Sequence, residues 1–209
     1  VPVADAEVYS RLGRLSWGES PIFVAGSTHP HEEDTVRAGF LQARTRLPSL
    51  KLVLAPRHPE RSGEAWRSLL DASLHCARWS RLGPGTAVAP DTEAVLVDSM
   101  GGLSALYTRA TVAFVGGTLI PVGGHNLLEP ALAGVPVLFG PHTEHIEMPT
   151  AILKENGGGF RVRDAAQIAD RLVELAGDRE KSRAAGSRAR QAADSLRGAT
   201  ARTLALLRP

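Results

Sequence analysis

The chain has 209 residues, of which 43% are hydrophobic and 22% charged, and its formal net charge is +2 at pH 7. This composition excludes a disordered or fibrous protein, and the single Cys76 excludes a scaffold held together by internal disulfides. We therefore expect a globular chain with a reduced, cytosolic thiol. No apolar run has the length that a membrane span needs. The first residue is Val1 rather than Met, which indicates a piece of a longer protein.

The predicted elements alternate in type along the chain, because short apolar runs are followed by segments with helical periodicity. Strands are predicted at residues 22–25, 51–55, 94–97, 112–115 and 135–139. Helices are predicted at residues 32–47, 59–74, 101–109, 127–133, 146–156, 165–176 and 180–207. Continuous apolar strands joined by helical crossovers predict an α/β fold with a doubly wound parallel sheet. We expect one domain over residues 1–178 and a helical tail, residues 179–209, packed on it.

The positive charge is concentrated near the C-terminus. Residues 151–209 hold 12 Lys or Arg against 7 Asp or Glu, whereas residues 1–150 hold 12 against 15. Such a basic region is either a set of solvated helix faces or a surface that meets an anionic partner such as phospholipid headgroups. Nucleic acid is not expected as a partner, because no stacking aromatic set or zinc-ligand spacing accompanies these charges.

Four loops follow predicted strands and should open at the same edge of a parallel sheet, where such sheets bind their ligands. The first loop, residues 26–29, leads into a helix that begins with Glu32 and Glu33. Ser27 or Thr28 either caps that helix or donates a hydrogen bond to a bound anion.

The second and third loops carry candidate nucleotide contacts. Arg57 and His58 lie between two prolines that restrict the backbone. A guanidinium and an imidazole at a strand end can meet a phosphate or stack on a base, and a solvated arginine with a turn-capping histidine is the alternative. In the third loop, Gly101 and Gly102 follow Met100 and allow the main chain to approach a flat ligand.

The fourth loop carries the largest number of candidate ligand-binding groups. Gly123 and Gly124 leave the backbone bare just before a helix, so that N–H groups around His125 and Asn126 can bind an anion. Glu129 lies on the same side of that helix and can accept hydrogen bonds from vicinal hydroxyls, as on a ribose. A structural histidine beside an ion-paired glutamate is the alternative.

Two histidine pairs invite a metal assignment, namely His29 with His31 and His142 with His145. Neither pair has the Cys-rich or His-Glu-x-x-His context that makes a metal site specific. We expect no metal and no cofactor.

Three segments together resemble the C-terminal half of the bacterial 3-deoxy-D-manno-octulosonic acid (Kdo) transferases. They read AGSTHPHEE at residues 25–33, APRHPER at 55–61 and FVGGTLIPVGGHNLLEPALAGVPVLFGPHT at 114–143. The resemblance runs in the same order from about residue 22 to residue 178. It implies a two-domain glycosyltransferase of the GT-B type, whose N-terminal domain is membrane-associated and binds the acceptor, and whose Rossmann-like C-terminal domain holds the CMP-sugar donor. This chain would be the donor-binding half.

The resemblance also implies the donor-binding residues. The loop after the second strand matches the family's loop near the CMP, and the third loop matches the segment whose main chain lies at the nucleotide. Residues 126–129 match the helix start that binds phosphate and ribose. Three positions depart from the family pattern: Gly102 stands where an acid is expected, Leu127 where proline is common and His31 where glycine is common. The loops contribute Ser27, Gly123, Gly124 and His125 to the predicted site. With the residues that the resemblance implies, the predicted donor-binding set is Ser27, Arg57, His58, Met100, Gly101, Gly102, Gly123, Gly124, His125, Asn126, Leu127, Leu128 and Glu129.

The implied reaction is the inverting transfer of Kdo from CMP-Kdo to a lipid A precursor in lipopolysaccharide core biosynthesis. Backbone N–H groups with His125 or Asn126 would stabilise the charge that departing CMP leaves on its phosphate, without a metal. The family's general base is a glutamate of the N-terminal domain, so no catalytic residue is expected in this chain. The full-length protein is expected at the cytoplasmic face of the inner membrane, and this fragment is expected to be soluble. A non-catalytic nucleotide-sugar-binding or regulatory module of the same fold is the alternative.

Overall fold

The computed structural model describes Val8, residues 11–83 and residues 86–206, with side chains described as far as Leu196. A seven-stranded sheet runs through these residues in the order β3-β4-β2-β1-β5-β6-β7, and every neighbouring pair is parallel. The strands are β1 (Ile22–Thr28), β2 (Lys51–Pro56), β3 (Cys76–Arg78), β4 (Ala94–Leu96), β5 (Val112–Val115), β6 (Val137–Phe139) and β7 (Gly159–Arg161).

Helices connect the strands and cover the sheet. Two short 3-10 turns, Pro59–Arg61 and Trp79–Arg81, accompany them. The helices are α1 (Glu32–Arg44), α2 (Ser62–Asp71), α3 (Leu103–Tyr107), α4 (Leu128–Leu132), α5 (Glu147–Glu155), α6 (Ala165–Ala176) and α7 (Arg179–Leu206).

Alternation along the strands explains why the apolar runs are continuous. In β1, Phe23 and Ala25 pack into a core on one face of the sheet, whereas Ile22 and Val24 pack into a second core on the other face. Val36 and Phe40 of α1 are fully buried in the first core. Because both faces of the sheet are covered, a polar side chain on a central strand would be buried and would need a hydrogen-bond partner. The predicted doubly wound parallel sheet is confirmed.

The structure differs from the predicted elements at their ends and at the sheet edges. β1 continues past Gly26 to Thr28, with a register irregularity against β2 at this point. Residues 59–61 form a 3-10 turn rather than the start of an α-helix. Both β3 and β7 were missed by the sequence prediction, because each has three residues and ends in an arginine, so neither contains an apolar run. The predicted end of the last helix, Leu207, lies outside the described residues.

The long C-terminal helix α7 packs against α4, α5 and α6. Its inner face is made of small residues, and Ala185, Ala189, Ala192 and Ala193 are each at most 2% exposed. At Gly186 the approach is so close that an added Cβ would lie 2.0 Å from the carbonyl oxygen of Gly134. Among the described residues, no helix combines the length and the apolar character needed to cross a membrane.

Candidate functional site

The sheet has a topological switch point between β1 and β5. The chain passes from β1 to β2 on one side and from β5 to β6 on the other. This divergence opens a crevice at the carboxyl ends of β1 and β5. The Gly116 N–H donates to the carbonyl of Gly26 across this crevice at 2.9 Å, and the Arg57 N–H donates to that of Thr28 at 2.8 Å. The first, second and fourth predicted loops are therefore neighbours at one edge.

Gly116 is the point of closest approach between the two central strands. A Cβ at this position would lie 2.2 Å from the carbonyl oxygen of Ser27 and 2.6 Å from the Cα of Thr28. Both of these atoms are backbone and cannot rotate aside. Only glycine therefore lets the loop after β5 lie against the end of β1.

The buried carboxylate of Glu32 fastens the two loops together. The side chain is fully buried, and its Oε2 accepts hydrogen bonds from the backbone N–H of His29 at 3.0 Å and of Gly117 at 2.7 Å. Its Oε1 accepts from the N–H of Thr118 at 2.9 Å and of Leu119 at 2.8 Å. A carboxylate of the protein thus occupies the place near the start of α1 where an anion could bind.

This arrangement excludes the first of the two alternatives for Ser27 and Thr28, that one of them caps the helix. The residue at the N-cap of α1 is His31, whose backbone is left-handed and whose side chain makes no capping hydrogen bond. The Thr28 hydroxyl instead donates to Glu33 Oε1 at 3.4 Å. Ser27 lines a pocket between the loops and does not cap the helix.

Two imidazoles meet at the switch point. The Nε2 atoms of His29 and His125 are 2.7 Å apart, and the two rings are stacked with an interplanar angle of 10°. Only one hydrogen can lie between these two nitrogens, so Nε2 of at least one ring is unprotonated and accepts the hydrogen bond. The ring of His58 stands edge-on to His29, with centroids 5.8 Å apart.

Burial favours the neutral form of both paired histidines. Loss of hydration is the largest cause that lowers the pKa of His29, and the Glu32 charge opposes it. The pKa of His125 is lowered first by burial and then by the neighbouring His29 and Arg57. The pair therefore adds little positive charge at neutral pH, while the exposed Arg57 supplies a fixed positive charge beside it.

A small pocket of about 100 Å³ joins the second and third loops to the end of β1. Its lining includes Ser27, Arg57, Met100 and Gly101. The Met100 side chain is 74% exposed. Gly101 and Gly102 both have left-handed backbone just before α3, with φ of 83° and 84°. The structure therefore brings four of the predicted donor-site residues into one concave place.

The fourth loop presents polar groups beside the histidine pair. Asn126 Oδ1 accepts from the Leu128 N–H at 3.0 Å, and Asn126 Nδ2 donates to Glu129 Oε1 at 3.1 Å. Both Asn126 and Glu129 are exposed. Among the described residues, no donor reaches Glu129 Oε2, and the N–H groups of His125, Asn126 and Leu127 meet no acceptor. Glu129 Oε2 and the N–H groups of His125 and Asn126 are therefore free to bind a ligand, whereas Leu127 is fully buried.

Three positions of the fourth loop serve mainly to shape it. Gly123 and Gly124 have left-handed backbone and pack against His145 and Ile146. Leu127 is fully buried, backbone included, so it anchors the loop from inside.

Two residues that converge at this site have no predicted site role. The sequence presents Glu32 only as an acidic residue of a helix start and His29 only as part of a rejected metal pair. Nothing in the local sequence distinguishes Glu32 from Glu33, because the contacts of Glu32 come from residues 117–119. Within the described part of the chain, no three His, Cys, Asp or Glu side chains converge as metal ligands would.

Wider clefts lie elsewhere on the described part of the chain. One of about 480 Å³ lies beside α5, where Lys154 contributes to the wall. Another of about 390 Å³ lies at the opposite edge of the sheet, where Ile22 begins β1 and Thr111 precedes β5. Neither contains any of the four loops. We place the candidate site at the switch point because the polar groups and paired imidazoles converge there.

Glu33 gives a prediction about stability and pH. Burial raises its pKa from 4.5 to about 7, against the opposing effects of Arg61 and the Thr28 hydroxyl. The folded chain therefore binds this proton more tightly than the unfolded chain does, which stabilises the fold. This stabilisation is complete below pH 4.5 and is lost as the pH rises through 7. Glu33→Gln cannot ionise and should be more stable than the parent at pH 8 by about 1–3 kcal/mol.

Urea unfolding at pH 5 and pH 8 measures this effect. The gain should shrink at pH 5, where Glu33 is protonated in the folded chain. Glu155→Gln, at an exposed position of α5, is the control and should show no such pH-dependent gain. An equal gain at both pH values would contradict the prediction.

Known proteins resemble this chain over most of its length. No protein-family model matches the chain. A 3-deoxy-D-manno-octulosonic acid transferase of Haemophilus influenzae is 34% identical over 200 residues, which is 94% of this chain and 46% of the relative. One of Aquifex aeolicus is 34% identical over 154 residues, which is 74% of this chain and 41% of that relative. The chain belongs to the Kdo transferase family. It spans less than half the length of these two relatives.

A solved structure identifies the matching part of such a protein. The C-terminal CMP-Kdo binding domain of WaaA from Acinetobacter baumannii superposes with a TM-score of 0.79 at 26% identity, covering 90% of this chain and 97% of that chain. The all-parallel seven-stranded sheet with its flanking helices is thus the Rossmann-like C-terminal half of a GT-B fold. Within the Kdo transferase family, this chain corresponds to the C-terminal domain.

Proposed function

We propose that this chain is the donor-binding domain of a Kdo transferase and that it binds CMP-Kdo at the switch point. The convergence of Arg57, the His29–His125 pair and Glu129 on one edge of the sheet carries this proposal. The known CMP-Kdo binding of the WaaA domain supports it, because that domain shares the fold over nearly its whole length.

Each part of the donor has matching chemistry along this edge. The phosphate binds to the free N–H groups of His125 and Asn126 and to the Arg57 guanidinium, which together stabilise its charge. The ribose hydroxyls donate to Glu129 Oε2, while Asn126 holds Oε1 and fixes the carboxylate. The cytosine lies toward the pocket at Met100 and Gly101, where the backbone leaves room for a flat ring.

The same groups act when the sugar is transferred. The bond between the sugar and the phosphate oxygen breaks, and its electron pair stays on the phosphate of CMP. Fixed N–H donors and Arg57 stabilise this negative charge without having to reorganise. The acceptor hydroxyl is a lipid A precursor held by the N-terminal domain of the full-length protein, and the general base that removes its proton also lies there.

The proposal extends to the C-terminal tail and the membrane. We assign residues 1–178 to the donor domain and residues 179–209 to a tail that packs on it, as the described part of α7 does. The surplus of basic residues after residue 150 supports a position of the full-length protein at the cytoplasmic face of an anionic inner membrane. Arg208, which belongs to this basic region, lies outside the described residues.

Titration of the chain with CMP tests the donor site. Glu129→Ala should weaken CMP binding by about 1–3 kcal/mol, because hydrogen bonds from the ribose to a charged acceptor are lost. Isothermal titration calorimetry measures this loss. Glu155→Ala removes an exposed glutamate from the end of α5 and is the control that should bind CMP like the parent. If both variants bind CMP equally well, the ribose assignment is wrong.

Assay of the full-length protein with CMP-Kdo and a lipid A precursor separates the two classes of function. A transferase converts the acceptor and releases CMP. CMP binding without transfer would instead favour a non-catalytic nucleotide-sugar-binding or regulatory module of the same fold.

A further inference from the structure

Glu32 joins the two strands that meet at the switch point. Its carboxylate receives one N–H from the loop after β1, at His29, and three from the loop after β5, at Gly117, Thr118 and Leu119. These two loops are distant in sequence and come together only at this edge of the sheet. One buried side chain therefore sets their spacing.

Only a carboxylate satisfies this arrangement. Four N–H donors point at two oxygens, and each oxygen accepts two of them. A neutral amide would place its own NH₂ group against two of these N–H groups. Two donors would then be buried without a partner, and the loops would have to separate to hydrate them.

The spacing of the loops fixes the histidine pair. His29 belongs to the first loop. The ring of His125 lies against Gly117 of the loop after β5, where an added Cβ would be 2.9 Å from the ring Cδ2. The 2.7 Å contact between the two Nε2 atoms thus depends on the distance between two loops that Glu32 holds together.

We propose that Glu32 is a positioning residue of the donor site: by binding the N–H groups of both loops, it holds His29 and His125 in contact and presents them to the anionic donor. Glu32 itself is buried beneath the loops and does not touch the ligand. The inference rests on the proposed function for the identity of the ligand. The coupling between Glu32 and the histidine pair is independent of it.

Glu32→Gln and Glu33→Gln form a matched pair for the test. Both residues are buried in the first turn of α1, but Glu33 accepts only the 3.4 Å hydrogen bond from the Thr28 hydroxyl among the described residues. With CMP as the probe at pH 7, Glu32→Gln should bind about ten-fold or more weakly than the parent. Glu33→Gln should bind within about two-fold of it.

The imidazole signals of the ligand-free chain distinguish positioning from a general loss of stability. NMR titration of His125 should show a pKa that rises toward 6.5 in Glu32→Gln, because this ring leaves His29 and gains water. The pKa of His29 should change as well, but it also loses the Glu32 charge that raises it, so His125 is the diagnostic signal. Glu33→Gln should leave both values as in the parent. Weaker CMP binding with unchanged histidine pKa values would overturn the proposal, and so would an effect of the same size in both variants.

A second variant covers the case in which Glu32→Gln does not fold. Gly117→Ala leaves the Glu32 carboxylate intact and drives a methyl group into the ring of His125. It should reproduce the change in the histidine signals and the loss of CMP affinity, and an unchanged histidine pair would overturn the proposal. If the parent chain does not bind CMP, the proposed function fails, while the histidine titration still decides the role of Glu32.

Discussion

Gly116→Ala should destabilise the chain by about 3 kcal/mol or more and abolish CMP binding. The added methyl group would lie 2.2 Å from the Ser27 carbonyl oxygen and 2.6 Å from the Thr28 Cα, so β1 and β5 would have to move apart. This movement would break the hydrogen bond from the Gly116 N–H to Gly26 and would separate the loops of the donor site. Urea unfolding measures the free-energy change, and calorimetry measures CMP binding.

Gly63→Ala is the matched control for this result. Gly63 lies in the exposed part of α2, and a Cβ there would meet no atom within 4 Å. Alanine is favoured over glycine in a helix, so this variant should gain up to about 1 kcal/mol of stability. Gly116→Ala with the stability and CMP affinity of the parent would show that the two strands can separate freely, against the close contact in the structure.

Ala189→Glu should also cost about 3 kcal/mol or more, because it places a charge in a dry interface. Ala189 is fully buried in the core between α7 and the sheet, together with Leu127, Ala131 and Phe139. Glutamate there would either lift α7 away or be buried in its neutral form. Since Leu127 anchors the loop that carries Asn126, CMP affinity should fall along with stability.

Arg190→Glu is the control, because it introduces glutamate one residue further along α7 at an exposed position. Arg190 is 65% exposed, and its ion pair with Asp194, at 3.9 Å, contributes little. This variant should change stability by less than about 0.5 kcal/mol and should leave CMP binding intact. Equal effects of the two substitutions would contradict our proposal that the tail is a packed layer of the donor domain.

The sequence predicted the central part of the fold because its strands carry continuous apolar runs. Val112–Val115 is buried on both faces of the sheet, and its bounds were predicted without error. The edge strands β3 and β7 were missed, since pairing with one neighbour does not require an apolar run. Local sequence also favoured an uninterrupted helix from Pro59, whereas the first turn there is 3-10.

The site was predictable as a set of loops but not as a set of contacts. Parallel strands must end at a common edge, which placed Arg57 and the glycine-rich loop together from sequence alone. The roles of Glu32 and His29 depend on residues more than 80 positions away, at Gly117 and His125. Of the two alternatives for Ser27 and Thr28, helix capping is excluded because the strand continues through both residues.

The pairing of β1 with β5 also has a kinetic consequence. It aligns position 23 with position 112, whereas the other pairings join positions no further apart than Leu52 and Ala94. Strands β1 to β4 can pair among themselves, as can β5 to β7, so this contact closes the largest chain loop in the sheet. The proposed donor site lies on that same contact. It therefore comes into existence only when the two halves of the sheet dock, and the recovery of CMP binding during refolding would time that event.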